Sequence, residues 1–219
     1  MGTSLLTFRR TFVEGRFVIF PSFLVILGMR VLLFLNSEIN PVHLSGAGYL
    51  WKFSAPLLVD PVISLVVSTL AVLLIAWLIH SMNNRFALIR NRSNLPFIIP
   101  FFLLSLHPRF LVMSPALAAV IPLLLAFFPL LQSYQKQDAY LYSFRSGVLI
   151  AVASLFHIGA LALVPLWWRG ERSMRGPQLK ARLNYLFGIL LVGFTLFSLA
   201  YLMDDLPGFL YPFRFYTYI

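Results

Sequence analysis

Long apolar blocks, separated by polar turns and basic clusters, dominate the pattern of this chain. The blocks cover residues 17–36, 57–80, 95–106, 115–131, 146–168 and 183–203. A helix of about 20 apolar residues crosses the hydrocarbon core of a bilayer. In the pair 95–106 and 115–131 nearly every helix face is apolar, which excludes a soluble amphipathic hairpin. The pattern predicts an all-α, multi-span membrane protein organised around this hairpin.

Composition points to the same class, because hydrophobic residues make up 60% of the 219 positions and charged residues only 11%. Soluble domains carry about 25% charged residues. The chain has room for about six or seven spans with short loops. No segment is polar enough to form a separate soluble domain. We therefore predict one transmembrane domain, 1–219, with its helical bundle at 17–203.

The net charge of +10 would suggest a nucleic-acid partner in a soluble protein. Here the basic residues lie in loops beside apolar blocks, which is the positive-inside pattern and attracts anionic lipid. We expect the bilayer and its anionic lipids as partners, and no nucleic acid. The chain has no cysteine, which excludes disulfides, thiol catalysis and cysteine-bound metal sites.

The loop 81–94 sets the orientation, because it carries Arg85, Arg90 and Arg92 without any acid and is expected in the cytoplasm. Residues 1–16 have apolar side chains at helical spacing beside arginines, which predicts an amphipathic helix on the cytoplasmic surface. Aromatic residues dominate 204–219 and predict an interfacial tail. We expect a multi-pass protein of a bacterial inner membrane with a cytoplasmic N-terminus.

The block 146–168 leaves two topologies open. The densest basic cluster of the chain follows it and consists of Arg169, Arg172, Arg175, Lys180 and Arg182. A single span would place this cluster outside, against the positive-inside tendency. Two half-spans that break near His157-Ile158-Gly159 would return it to the cytoplasm, and we favour this alternative. Such a break must be buried in protein, because lipid cannot satisfy free backbone groups.

A candidate site consists of polar residues that this topology places near the outer face. The candidate catalytic groups are Glu38, Asp60 and His107, and the candidate contacts for a lipid phosphate are Arg30, Arg109 and His157. Carboxylates suit a divalent cation or proton transfer, whereas arginine and histidine suit a phosphate head group.

A structural alternative accounts for the same residues. Arg30 lies about 9 Å inward from Asn36 at about 1.5 Å per residue, and Asp60 reaches a similar depth, so the two could form an ion pair. The other polar residues would then only meet interfacial water. The basic cluster at 169–182 also has two interpretations, as a topology determinant that contacts lipid or as a docking site for an acidic partner or a nucleotide-sugar phosphate.

Motifs of soluble enzymes are missing from the sequence. It contains no P-loop, dinucleotide fingerprint, nucleophile elbow or His-Glu-x-x-His. A haem would need two histidine ligands at matched depth, whereas His80 and His157 are expected near opposite faces. We expect neither a metal nor another cofactor.

The middle of the chain resembles an uncharacterised family of multi-span inner-membrane proteins from Bacteroidota. The resemblance covers about Asn84 to Leu190 and is carried by Asn91-Arg92-Ser93-Asn94-Leu95-Pro96, by Ser114-Pro115-Ala116-Leu117-Ala118-Ala119 and by the run 144–156. It implies a multi-span fold and no assigned activity.

A second resemblance is to the GT-C superfamily, which uses polyprenyl-phosphate sugars. Glu38, Arg85, Arg90, His107-Pro108 and the Gly147…Gly159 pair fall in positions comparable to motifs of that superfamily. Glu38 stands alone where an acidic pair is usual, and the outer loop is short, so a complete transferase is not the favoured interpretation.

Three functions remain open at this point. We favour an accessory or scaffold subunit of an envelope-biogenesis or export assembly, with other membrane subunits as partners. The alternatives are a GT-C-like protein that binds or processes lipid-linked sugars, and a small transporter. Few charges lie inside the apolar blocks, which argues against ion coupling through buried acids.

Overall fold

The computed structural model describes residues 19–37, 47–89, 93–134, 136, 140–176 and 178–214. Within these ranges the fold is all helical, and the only strand-like feature is an isolated bridge between Ala47 and His157. The prediction of an all-α fold is confirmed. The predicted surface helix at 1–16 lies outside the described residues.

Nine α-helices follow one another in the described ranges. They are α1 (Ile19–Asn36), α2 (Trp51–Ser54), α3 (Pro61–Phe86), α4 (Leu95–Leu106), α5 (Pro115–Gln132), α6 (Tyr140–Phe156), α7 (Val164–Arg175), α8 (Leu179–Leu202) and α9 (Leu206–Arg214). Short 3-10 turns occupy Ala55–Leu58, Pro108–Phe110 and Ile158–Leu163.

Four of these helices, α1, α3, α5 and α8, are long and apolar enough to cross a membrane. The helices α4 and α6 are apolar too, but they have only 12 and 17 residues. A membrane-embedded protein is therefore supported, whereas the expected count of six or seven spans stays a prediction.

The helix break that the sequence indicated near His157 is present. The helix α6 ends at Phe156, a 3-10 turn follows, and α7 begins at Val164. Hydropathy placed other boundaries wrongly, because a helix continues beyond its apolar part when its polar side chains can face away from the core. The helix α3 continues to Phe86, and most of the predicted loop at 169–182 is helical in α7 and α8.

The contacts of the chain divide it into two compact units. In the described part, the first unit contains residues 19–37, 58–89 and 93–114, and the second contains 47–57 and 115–214 with its gaps. In the first unit α4 packs against both α1 and α3. Its Phe101 is fully buried and stacks on Phe23 of α1 with 5.8 Å between ring centroids.

In the second unit α6 is the central helix and packs against α5 and α8. Two glycines allow the close crossing of α6 and α8, because a Cβ atom at Gly147 would collide with the Tyr185 carbonyl and one at Gly188 would meet the Phe144 carbonyl at 2.6 Å. Small residues permit such approaches between membrane helices. Proline is tolerated within membrane helices where protein surrounds it, and Pro122 in α5 is buried.

Candidate functional site

Arg30 makes four hydrogen bonds in the interior of the first unit. It lies in α1 and is only 1% exposed. Its Nε donates to Thr69 Oγ1 at 3.1 Å, its Nη1 to Ser105 Oγ at 3.4 Å, and its Nη2 to Ser68 Oγ at 2.9 Å. Nη2 also donates to the carbonyl of Phe110 at 2.8 Å. One side chain therefore ties α1 to α3, to α4 and to the turn after α4.

The hydroxyls around Arg30 are oriented to accept from it. Ser68 Oγ donates its proton to the Leu111 carbonyl at 2.6 Å, and Thr69 Oγ1 donates to the Leu65 carbonyl at 2.7 Å. Each oxygen then keeps lone pairs for the guanidinium, which is an acceptor-free group with five N–H donors. Neutral dipoles thus solvate the charge inside the unit. This arrangement explains how an apolar helix tolerates an arginine whose insertion costs about 2.5–3.5 kcal/mol near the bilayer centre.

The predicted ion pair between Arg30 and Asp60 is wrong. Asp60 is the N-cap of α3, where its Oδ1 accepts from the Val62 amide at 2.8 Å and from the Ile63 amide at 3.5 Å. No carboxylate of the described ranges contacts Arg30. Matched depth along two helices does not fix which faces meet, and a cap satisfies amides that no helical carbonyl can reach.

His107 and Arg109 also make local contacts. His107 Nδ1 accepts from the backbone amide of Arg109 at 3.2 Å and caps the 3-10 turn after α4. Both side chains are exposed. Glu38, the remaining catalytic candidate, lies outside the described residues. Apart from Arg30, the described candidates of this unit are therefore a helix cap, a turn cap and an exposed cation.

His157 belongs to the second unit, whereas Arg30, Asp60, His107 and Arg109 belong to the first. Its backbone forms the isolated bridge to Ala47. Beside this bridge the Gly48 amide donates to the carbonyl that ends α6 at 2.8 Å. His157 thus marks the place where residues 47–50 satisfy the broken end of α6, in agreement with the expectation that such a break is buried in protein.

The second unit contains a buried carboxylate that the sequence did not nominate. Glu171 lies in α7, is 5% exposed, and accepts a hydrogen bond from the Ser143 hydroxyl of α6. The fully buried Tyr185 of α8 lies close enough to Glu171 for an electrostatic interaction with its carboxylate. A cavity of about 10 Å³ beside it, bordered by Gln178, is large enough for about one water molecule.

Helical spacing is the signal that could have found Glu171. Trp167 and Trp168 precede it by four and three positions, and Met174 follows it by three. Residues so spaced share one helix face, and here that face packs against the core of the second unit. In the sequence Glu171 stands among the basic residues of 169–182, and this setting conceals its place on the apolar face of an amphipathic helix.

Basic residues that were expected as cytoplasmic anchors are mostly at the surface. Arg85 lies in the last turn of α3, and its guanidinium carbon is 5.9 Å from the Phe86 ring centroid. Arg169, Arg172 and Lys180 are exposed, and Arg182 is half-buried. Arg175 ends α7, and Arg90 and Arg92 lie outside the described residues. The positions are compatible with anchoring to lipid, which stays a prediction.

An ion pair joins two further segments of the second unit. Lys52 Nζ lies 2.7 Å from Asp205 Oδ2. The lysine lowers the pKa of the Asp205 carboxyl, chiefly through this hydrogen bond. Tyr49 is 5% exposed beside the pair, and burial first, then the charge of Asp205, raise the pKa of its phenol.

In the described part of the chain, no group of three or more histidine, aspartate or glutamate side chains is arranged to hold a metal ion. The first unit thus contains a cage of uncharged acceptors around Arg30, formed by Ser68, Thr69, Ser105 and the Phe110 carbonyl. The second unit contains the buried carboxylate of Glu171 and the exposed ion pair of Lys52 with Asp205.

Comparison of the chain with models of protein families, with curated proteins and with solved structures finds no match. The resemblances to a Bacteroidota membrane family and to the GT-C superfamily thus remain expectations from the sequence.

Proposed function

We propose that this chain is an accessory subunit of an inner-membrane assembly for envelope biogenesis or export. In this proposal it is a multi-pass protein with six or seven spans, the pair α6 and α7 includes the half-spans, and the N-terminus is cytoplasmic. The exposed side of α1, which faces away from its own unit, contacts an apolar helix of another membrane protein. The arrangement of α1 carries the proposal.

One face of α1 is buried in its unit, and the opposite face is exposed. Ile26 and Arg30, four positions apart, are the buried residues of this helix. The other face has Val25 71% exposed, Leu32 62% exposed and Leu35 72% exposed. The spacing of these three residues keeps them on one side of a helix. The Arg30 cage therefore holds α1 to its unit and leaves this side free for a partner.

Gly28 lies within the exposed face of α1. A Cβ atom at this position would meet no atom within 4 Å. Lipid tails are as apolar as the side chains of membrane helices, so the hydrophobic effect does not drive these helices together. They associate instead by close packing, which small residues permit because they let the two backbones approach. An apolar helix of a partner can thus pack over Gly28, between Val25 and Leu32.

The roles of the polar candidates also favour a subunit over an enzyme. Asp60 Oδ1 and His107 Nδ1 accept from backbone amides and cap a helix and a turn, and Arg30 is enclosed. An enclosed group does not reach a substrate, so Arg30 holds its own unit together.

The experiment is an affinity pull-down in mild detergent from the native membrane, with quantitative mass spectrometry. The proposal expects one membrane protein at a stoichiometric level with the wild type, and its loss with Gly28→Phe. The matched control is Gly193→Phe in α8, where a Cβ atom also meets nothing within 4 Å. A stoichiometric partner retained by Gly28→Phe would contradict the proposed contact.

A second arm separates a subunit from a transferase. A subunit tolerates Glu38→Ala and Asp60→Ala, apart from the loss of the Asp60 cap. A GT-C-like transferase would lose activity in both variants, and lipid-linked glycans would accumulate. Such accumulation would overturn the proposed function.

A further inference from the structure

The second unit contains a half-open groove of about 690 Å³ beside α8. The α8 side of the groove extends from Phe187 to Phe197, which is about 15 Å of helix at about 1.5 Å per residue. Leu155 of α6 and Phe209 of α9 form other parts of its wall. Its volume lies within the range of about 300–1,000 Å³ that small-molecule sites occupy.

The wall of the groove is suited to hydrocarbon. Its side chains are apolar apart from Ser154 and Tyr49. The Ser154 hydroxyl donates to the Ala151 carbonyl at 2.6 Å, so its proton is not offered to a ligand. Since α8 is a candidate membrane span, the groove opens beside a helix that lipid chains can reach. A polar ligand would lose its hydration here without gaining hydrogen bonds.

Polar groups lie together at the end of the groove where Tyr49 forms the wall. The Tyr49 ring packs edge-on against the Phe209 ring, with 5.7 Å between centroids. Its hydroxyl is buried beside the Asp205 carboxylate. Lys52 and Asp205 are beside it, with side chains 57% and 28% exposed. The rim therefore offers the ammonium of Lys52 and the carboxylate of Asp205.

The charges of the rim distinguish between head groups. The rim carries one cation, Lys52, which already faces the carboxylate of Asp205. An anionic head group would have to compete with this carboxylate for Lys52. A head group with both signs can place its phosphate against Lys52 and its ammonium against Asp205. An ammonium has three donors and a carboxylate about four acceptor positions, so the existing ion pair leaves capacity on both sides.

We propose that the groove binds one phospholipid with a zwitterionic head group of the phosphatidylethanolamine type. An acyl chain fills the groove along α8, and the head group lies across the Lys52–Asp205 pair. This site is separate from the α1 face of the proposed function and does not depend on it.

The test measures lipids that co-purify with the protein from membranes containing both phosphatidylethanolamine and phosphatidylglycerol. Native mass spectrometry of the wild type is expected to show one retained phosphatidylethanolamine, enriched about tenfold over the bulk ratio, which corresponds to about 1.4 kcal/mol. Gly193→Phe places a ring in the open space of the groove and abolishes retention. Gly28→Phe, with equally open space in the first unit, leaves retention unchanged.

A second variant tests the head-group contact in a protein whose groove is intact. Lys52→Ala is expected to keep a retained lipid but to lose the preference for phosphatidylethanolamine. Size-exclusion profiles that match the wild type show that each variant is folded. Retention of phosphatidylglycerol by the wild type, no retained lipid, or equal retention by Gly193→Phe and Gly28→Phe would each overturn the proposal.

Discussion

Arg30 Nη2 donates a 2.8 Å hydrogen bond to the carbonyl of Phe110, 80 residues further along the chain. This bond connects the exposed helix α1 to the turn between α4 and α5. The same guanidinium binds three hydroxyls from α3 and α4. An arginine inside an apolar block is commonly interpreted as a site for a ligand, but here its donors are directed at its own unit.

Replacing Arg30 should loosen α1. We expect Arg30→Ala to destabilise the first unit by about 2–4 kcal/mol, because the Phe110 carbonyl loses its charged donor and α1 loses its polar contacts to α3 and α4. Thermal unfolding in detergent, monitored by circular dichroism, measures the change. The control is Arg109→Ala, since Arg109 is an exposed arginine. Equal stability of the two variants would show that the cage does not hold α1.

Glu171 and Ser143 should be energetically coupled. A double-mutant cycle with Glu171→Gln and Ser143→Ala is expected to give a coupling energy of about 0.5–3 kcal/mol, because each side chain contributes to a buried polar contact between α6 and α7. Unfolding midpoints of the two single variants and the double variant provide the cycle. Ser154→Ala is the matched control, as Ser154 bonds within its own helix. A coupling as small as that of Ser154 with Glu171 would contradict the assignment.

The sequence predicted the α-helical class, the helix α4 to the residue, and the break at His157, because each depends on local composition. It did not predict the Arg30 cage. Its four acceptors come from residues 68–110, and single Ser and Thr residues in apolar helices carry no periodic signal. The Arg30–Asp60 hypothesis used depth alone, while the rotation of each helix decided the contacts. Glu171 was not predicted, because the charges along a sequence do not show which of them lie on the buried face of a helix.

The Asp205 carboxyl should titrate below its ordinary range. Its pKa is lower in the folded protein because Lys52 donates a hydrogen bond to its ionised form. The pair therefore contributes to stability above the unfolded pKa of about 3.9, and the contribution is lost as the pH falls through the lower folded value. Carbon NMR of labelled aspartate in micelles measures the titration. Lys52→Ala should return the pKa toward its ordinary value, and an identical titration in both proteins would contradict the contact.

The break after α6 makes a prediction about topology. The chain has no cysteine, so Ser173→Cys in the exposed part of α7 is the sole thiol. With α6 and α7 as parts of a half-span pair, this thiol faces the cytoplasm. We expect an impermeant maleimide to label it only after the cells are permeabilised. Labelling in intact cells would show that 146–168 crosses the membrane once.

The proposed subunit role is tested most directly by a photo-crosslinking amino acid at Leu32 in native membranes. Leu32 lies on the exposed face of α1, opposite Arg30. We expect one discrete protein adduct at Leu32, and its loss when Gly28→Phe is added. The same crosslinker at Phe194, in the wall of the α8 groove, should give lipid adducts instead. Lipid adducts alone at Leu32 would contradict a partner helix on α1.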